Sequence, residues 1–154
     1  KYLRANTDLI ITRMNGIRRG NVGKQEKKSW LDQHIAEIMH YQKLINETPE
    51  DDLLDRINLL SNMLVLIGRV SARLSEDYKK IYATRKRVHA EAYIKATKNK
   101  AAEAELAVVD LRQEEAQAYG DHKRWLNAFE STQEEINALK YKLRVSMEDG
   151  SNRG

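Results

Sequence analysis

The chain has no cysteine among its 154 residues, which removes disulfides, thiolate metal centres and cysteine nucleophiles at once. Proline occurs once and aromatic residues make up 6%, a composition far from that of a β-sandwich. No apolar run reaches the roughly 18 residues of a membrane span. The longest comparable stretch, Leu59 to Gly68, is broken by Ser61 and Asn62, so no membrane partner is expected. There is no Walker sequence, no Gly-x-Gly-x-x-Gly, no Gly-x-Ser-x-Gly and no zinc-ligand spacing. Neither a cofactor nor an enzyme activity is expected. The numbering opens on Lys1 rather than Met, which suggests an original N-terminus further upstream and leaves a missing signal peptide uninformative. A cytoplasmic setting is the default expectation.

What the chain does have is helix-forming residues. A charged fraction of 32% against 41% hydrophobic, with a mean hydropathy of -0.72, fits amphipathic helices that bury one stripe and solvate the rest. An all-α fold follows. Two shorter helices are expected near 7–17 and 25–46, separated by Gly20-Asn21-Val22-Gly23, whose glycines suit a turn. In the second, Trp30, Leu31, Ile35, Ile38, Met39 and Ile45 recur at three- and four-residue spacing on one face.

Thr48-Pro49-Glu50-Asp51 reads as a helix start, with Thr48 as N-cap, Pro49 in the first helical position and acids on the helix dipole. From there Leu53, Ile57, Leu60, Leu64, Ile67, Ser71, Leu74, Tyr78, Ile81, Arg85, Val88 and Ala92 alternate steps of four and three, the seam of a coiled coil. The pattern weakens over Thr97-Lys98-Asn99-Lys100. A second seam then runs through Ala104, Val108, Leu111, Glu115, Ala118, His122, Trp125, Phe129, Thr132, Ile136, Leu139 and Leu143. A short connection between two long helices makes them antiparallel neighbours. The expectation is a long antiparallel, coiled-coil-like hairpin over 49–149, two shorter N-terminal helices over 1–48 packed on it, and a frayed tail at 150–154, all in one structural unit. Folding back near Asn99 brings Arg85 towards Glu115, so the two polar interruptions answer each other. Gly120-Asp121 sits inside the last helix and marks a candidate kink.

Charge is distributed unevenly. Between Lys79 and Lys100 stand Lys79, Lys80, Arg85, Lys86, Arg87, Lys95, Lys98 and Lys100, with Glu91 the only acid; a second cluster, Arg13, Arg18, Arg19, Lys24, Lys27 and Lys28 against Glu26, surrounds the glycine-rich turn. Such crowding attracts polyanions, because neutralised phosphates release condensed counterions. Tyr78, Tyr82 and Tyr93 are interleaved with these cations, the pairing used by single-strand binders that stack bases without reading sequence. The alternative is that Tyr78 is core and the cations only solvate an outer face and pair with acids of the last helix.

Other constellations carry less. Glu37-x-x-His40 matches an element that di-iron bundles carry twice, but it occurs here once, and His34 and His40 lie on different faces. No metal site is expected. His122 reads as a core-edge histidine paired with a neighbouring acid, and Trp30, Trp125 and Phe129 as packing residues, with the N-terminal helices lying against that aromatic end.

Tyr78-Lys79-Lys80-Ile81-Tyr82, Trp125-Leu126 and Ile136-Asn137-Ala138-Leu139-Lys140 resemble the helical accessory proteins of tailed-phage replication and recombination regions, in particular the recombination mediators. The likeness covers roughly the second half of the chain, in helix pattern and composition. It implies an oligomeric, DNA-binding protein of phage recombination, acting in the bacterial host cytoplasm, that helps exchange one coating protein for another, with the basic residues around Lys79 to Arg87 as candidate contacts. The leading expectation is a non-enzymatic accessory protein that binds single-stranded nucleic acid independently of sequence and forms a homo-oligomer. The alternative is a coiled-coil module that binds a protein partner: a scaffold, an assembly chaperone or a host-factor inhibitor.

Overall fold

The structure is a computed structural model that describes residues 29–151. The expected first helix, the glycine-rich turn and the basic cluster around it, including Arg18, Arg19, Lys24, Lys27 and Lys28, lie outside these residues. The described chain is helical, in the order α1 (Trp30–Glu47), α2 (Leu53–Lys95), α3 (Lys100–Leu106) and α4 (Val109–Ser151). The long helices α2 and α4 pack against each other as the hairpin expected from the paired seams. Contacts divide the described residues into two compact units, one of 29–70 with 126–151 and one of Ser71–Trp125.

In the first unit Ser29 caps α1 at the first of its periodic residues, Trp30: the Ser29 hydroxyl oxygen accepts from the Asp32 amide at 3.2 Å. Ile38 and Ile45 are its buried residues, whereas Trp30, assigned to packing by sequence, is exposed and lies against His34, the rings tilted by 31° with centroids 3.9 Å apart. Thr48 is not the N-cap of the next helix. Its amide donates to the Leu44 carbonyl at 3.0 Å and its hydroxyl to the same oxygen at 2.8 Å, so it closes α1. The capping role passes to Asp52, whose carboxylate accepts from the Asp55 amide at 3.2 Å, four residues further along where the orphan amides of α2 lie. Arg56 then ties the two helices together, donating from Nη1 to the Ile45 and Thr48 carbonyls at 3.2 and 3.1 Å. A cation here satisfies carbonyls left without helical partners at a C-terminus.

The core of this unit is built from Ile57, Leu60, Met63, Leu66, Ile67 and Val70 of α2 and Thr132, Ile136 and Leu139 of α4. Thr132 is fully buried, its hydroxyl donating to Ala128 O at 2.8 Å. Gly68 leaves room for an aromatic ring, since a Cβ there would lie 3.2 Å from Phe129 Cε2. Although polar residues interrupt its apolar run, α2 contains an 18-residue stretch whose mean hydropathy reaches that of a membrane span, with 39% of it buried inside the protein.

In the second unit the chain reverses through Ala96 to Asn99. Asn99 adopts the left-handed conformation at φ 50° and ψ 43°, which asparagine tolerates better than most residues. Gly120-Asp121 does not break α4, which runs through it unbroken, with Asp121 bonded one turn on to Arg124. The interruption lies instead at Ala107-Val108, between α3 and α4. There the Val108 amide reaches the Glu105 carbonyl three residues back at 3.3 Å, a tighter winding that leaves Ala104 and Val108 both wholly buried.

Candidate nucleic-acid interface

Within the second unit the seam residues of α2, from Ser71 through Leu74, Tyr78, Ile81, Arg85 and Val88 to Ala92, are all buried or half-buried, as are Val108 and the α4 seam residues from Leu111 to Trp125. Their inward stripe divides the remaining residues of each helix into two flanks. In an antiparallel pair like flank meets like, and three contacts locate the shared side. The Tyr78 and Tyr119 rings lie 5.3 Å apart. Tyr78, Arg85, Arg112, Glu115, Ala116 and Tyr119 line one groove. The Glu105 carboxylate receives both His89 Nε2, at 3.3 Å, and Arg112 Nη2.

Along this flank α2 presents Lys79, Tyr82, Lys86, His89 and Tyr93 at alternating three- and four-residue steps, and α4 presents Arg112, Tyr119 and Lys123. Cations and aromatic rings sit side by side. The Lys86 ammonium lies 4.9 Å from the Tyr82 ring centre and the Arg85 guanidinium 5.3 Å. Lys123 lies 6.0 Å from Tyr119, and Lys100 lies 5.9 Å from Tyr93. Each is within cation–π reach. None of the positions named on this flank is a carboxylate. The opposite flank carries Asp77 and Glu91 on α2 and Asp110, Glu114 and Asp121 on α4, among Arg73, Lys80, Arg87 and Arg124. On α2 and α4 charge is thus sorted by side, cationic on one and mixed on the other, with Glu105 of α3 the carboxylate that reaches the cationic side, at His89 and Arg112.

The cations singled out by sequence therefore separate. Lys79 and Lys86 lie on the aromatic flank. Lys80 and Arg87 lie on the opposite one, and Lys80 is bonded to Glu76 at 2.6 Å, which, with Arg73 nearby, holds the Glu76 carboxyl below its usual range. Arg85 sits in the seam, its Nε donating to Glu115 Oε2 as the sequence pairing anticipated. Both side chains are about one-fifth exposed. The carboxylate bonded to Arg85 holds the guanidinium's pKa above its ordinary value. Lys95 ends α2, and Lys98 and Lys100 stand at the turn. Among the described residues Lys79, Lys86, Arg87, Lys95, Lys98 and Lys100 make no ion pair with a carboxylate. Glu115 of α4 thus neutralises Arg85 and Glu76 of α2 neutralises Lys80, while the other cations of the cluster stay unpaired; Arg112 is held by Glu105 of α3.

Sequence reading missed Arg112, Tyr119 and Lys123. Their signal was present, one step beyond the seam positions Leu111, Ala118 and His122, but it has meaning only once the partner flank is known. His122 does not pair with an acid. Its ring stacks on Tyr78 at 6.5 Å and 5°, and its Nδ1 is buried without a hydrogen-bond partner. Glu37 and His40 are exposed on α1, and no group of three potential metal ligands assembles among the described residues.

No family model, curated protein or solved structure matches the chain.

Proposed function

We propose that this protein is a non-enzymatic accessory protein that binds single-stranded nucleic acid along the cationic, tyrosine-bearing flank of its helical hairpin. One observation carries the reading: unpaired lysines alternate with exposed tyrosines on the same flank of α2 and α4, while the carboxylates between Ser71 and Trp125 lie in the seam, on α3 or elsewhere on the helices. Lysines on flexible stems track phosphates as point charges, and phenol rings stack unpaired bases whatever their identity. Duplex grooves hide those base faces, so the aromatic component favours single strands. The likeness to phage recombination mediators belongs to this proposal and would place the activity in the exchange of coating proteins on a strand.

Binding of a labelled oligonucleotide across a salt series tests the reading. Affinity that falls steeply with salt, and more strongly for the single strand than for its duplex, is the expected result. Undetectable or salt-indifferent binding overturns it.

A second reading has its own support. Ile94 and Leu106, at 77% and 74% exposure, are the most exposed large apolar side chains among the described residues, and both are close in sequence to the chain reversal. Exposed apolar side chains of this kind suit a protein partner. Charge reversal at Lys86 separates the readings, since it weakens polyanion binding and leaves an apolar contact intact.

A further inference from the structure

Resting on the strand-binding reading, we infer that the groove lined by Tyr78, Arg85, Arg112, Glu115, Ala116 and Tyr119 is a base-selective subsite that accepts an unpaired guanine. The groove is open to solvent and measures about 560 Å³. Tyr78 and Tyr119 meet at a tilt, 5.3 Å apart and inclined at 55°, and the exposed Tyr119 ring offers a face to a planar ring. The Arg85–Glu115 pair also lines the groove and is about one-fifth exposed.

That pair decides which ligand fits. A phosphate is repelled by the Glu115 carboxylate, which also offsets the Arg85 charge, so phosphates belong to Lys86 and Lys123 outside the groove, while the Arg85 N–H groups other than Nε remain donors for a neutral acceptor. A carboxylate beside a guanidinium is an acceptor edge next to a donor edge. Its full complement is a neutral edge with two adjacent donors next to an acceptor, which guanine has in N1–H, N2–H and O6, whereas adenine and cytosine offer one donor group beside their acceptor. The carboxylate retains acceptor capacity after bonding Arg85, because its two oxygens offer about four lone-pair sites. Thymine fits worse, as its single N–H stands between two carbonyl oxygens, one of which would face the carboxylate. Guanine's Watson–Crick edge is free only in a single strand, so the subsite and the flank select the same form of nucleic acid.

The test varies the ligand before the protein. Labelled oligothymidine is compared with the same strand carrying one central guanosine or one central inosine, which lacks the N2 amino group. Guanosine should tighten binding about tenfold, within the range of a good bidentate base contact, and inosine should lose most of that gain. E115Q should narrow the guanosine advantage to below about twofold, with circular dichroism confirming an unchanged helix content. Salt-sensitive binding that treats the three strands alike overturns the subsite and leaves the strand-binding reading standing. An absence of binding to all three overturns both.

Discussion

Removing two lysines from one flank and two cations from the other gives two proteins of equal net charge and different expected behaviour. Between Ser71 and Trp125 the cations that lie over tyrosine rings and outside ion pairs are Lys86, Lys100 and Lys123, and Lys79 joins them as an unpaired cation on the same flank. Four phosphate contacts on a single strand give a slope of about -2.8 in log affinity against log salt, at about 0.7 per contact. A fourfold rise in salt then weakens binding about 50-fold. Lys79→Ala with Lys86→Ala leaves two contacts, a slope of about -1.4 and a loss of about sevenfold over the same range. Lys80→Ala with Arg87→Ala removes the same formal charge from the opposite flank, where Lys80 is already bonded to Glu76, and should leave the slope within a few tenths of the parent's. Fluorescence anisotropy of a labelled oligothymidine at several salt concentrations reads all three slopes. Equal flattening by both double variants would refute a flank-specific interface and leave only a diffuse net-charge effect.

Further outcomes concern the scaffold. Gly120→Ala should stabilise by about 1 kcal/mol through helix propensity, raising Tm by roughly 3 °C, because the new Cβ meets nothing closer than the Arg124 guanidinium at 3.6 Å. Gly68→Ala should gain clearly less, or lose, because Phe129 must give way from 3.2 Å; thermal melts compare the two. His122→Phe should be neutral to stabilising in urea unfolding, as it removes a buried nitrogen without a partner, an orphan that ordinarily costs about 1–3 kcal/mol. Asn99→Val should cost about 1–2 kcal/mol, because a β-branched residue is strained at φ 50°, whereas Asn99→Gly should not. The Glu76–Lys80 pair contributes at neutral pH and is lost only as pH falls below the ordinary glutamate range, through the depressed Glu76 value. Glu76→Gln should therefore show a shallower acid unfolding profile than the parent.

Much of this architecture was readable in advance because burial in a helical pair is a periodic property. Each residue from Leu53 to Ala92 and from Ala104 to Leu143 that was assigned to a seam by its spacing is buried or half-buried, including the polar Arg85 and Glu115 that meet each other. Local signals held less well where two chemically acceptable answers compete. Thr48 and Asp52 can each cap a helix, and which cap each becomes depends on where α1 ends. A glycine at 120 predicts a weak point, but packing along α4 overrides a penalty of about 1 kcal/mol. The break falls at Ala107-Val108, where no residue of breaking type announces it.

Spacing along each helix determines which residues turn inward, because 3.6 residues per turn keep a stripe of threes and fours on one face. Spacing does not determine which outer residues of two helices become neighbours, since that depends on the direction and register of their pairing. Only the tertiary structure sets Lys79, Tyr82 and Lys86 on the same side as Arg112, Tyr119 and Lys123, and moves Lys80 and Arg87 away from them. A run of cations in sequence winds around a helix, and an interface exists only where the returning helix adds its own residues to one side of that winding.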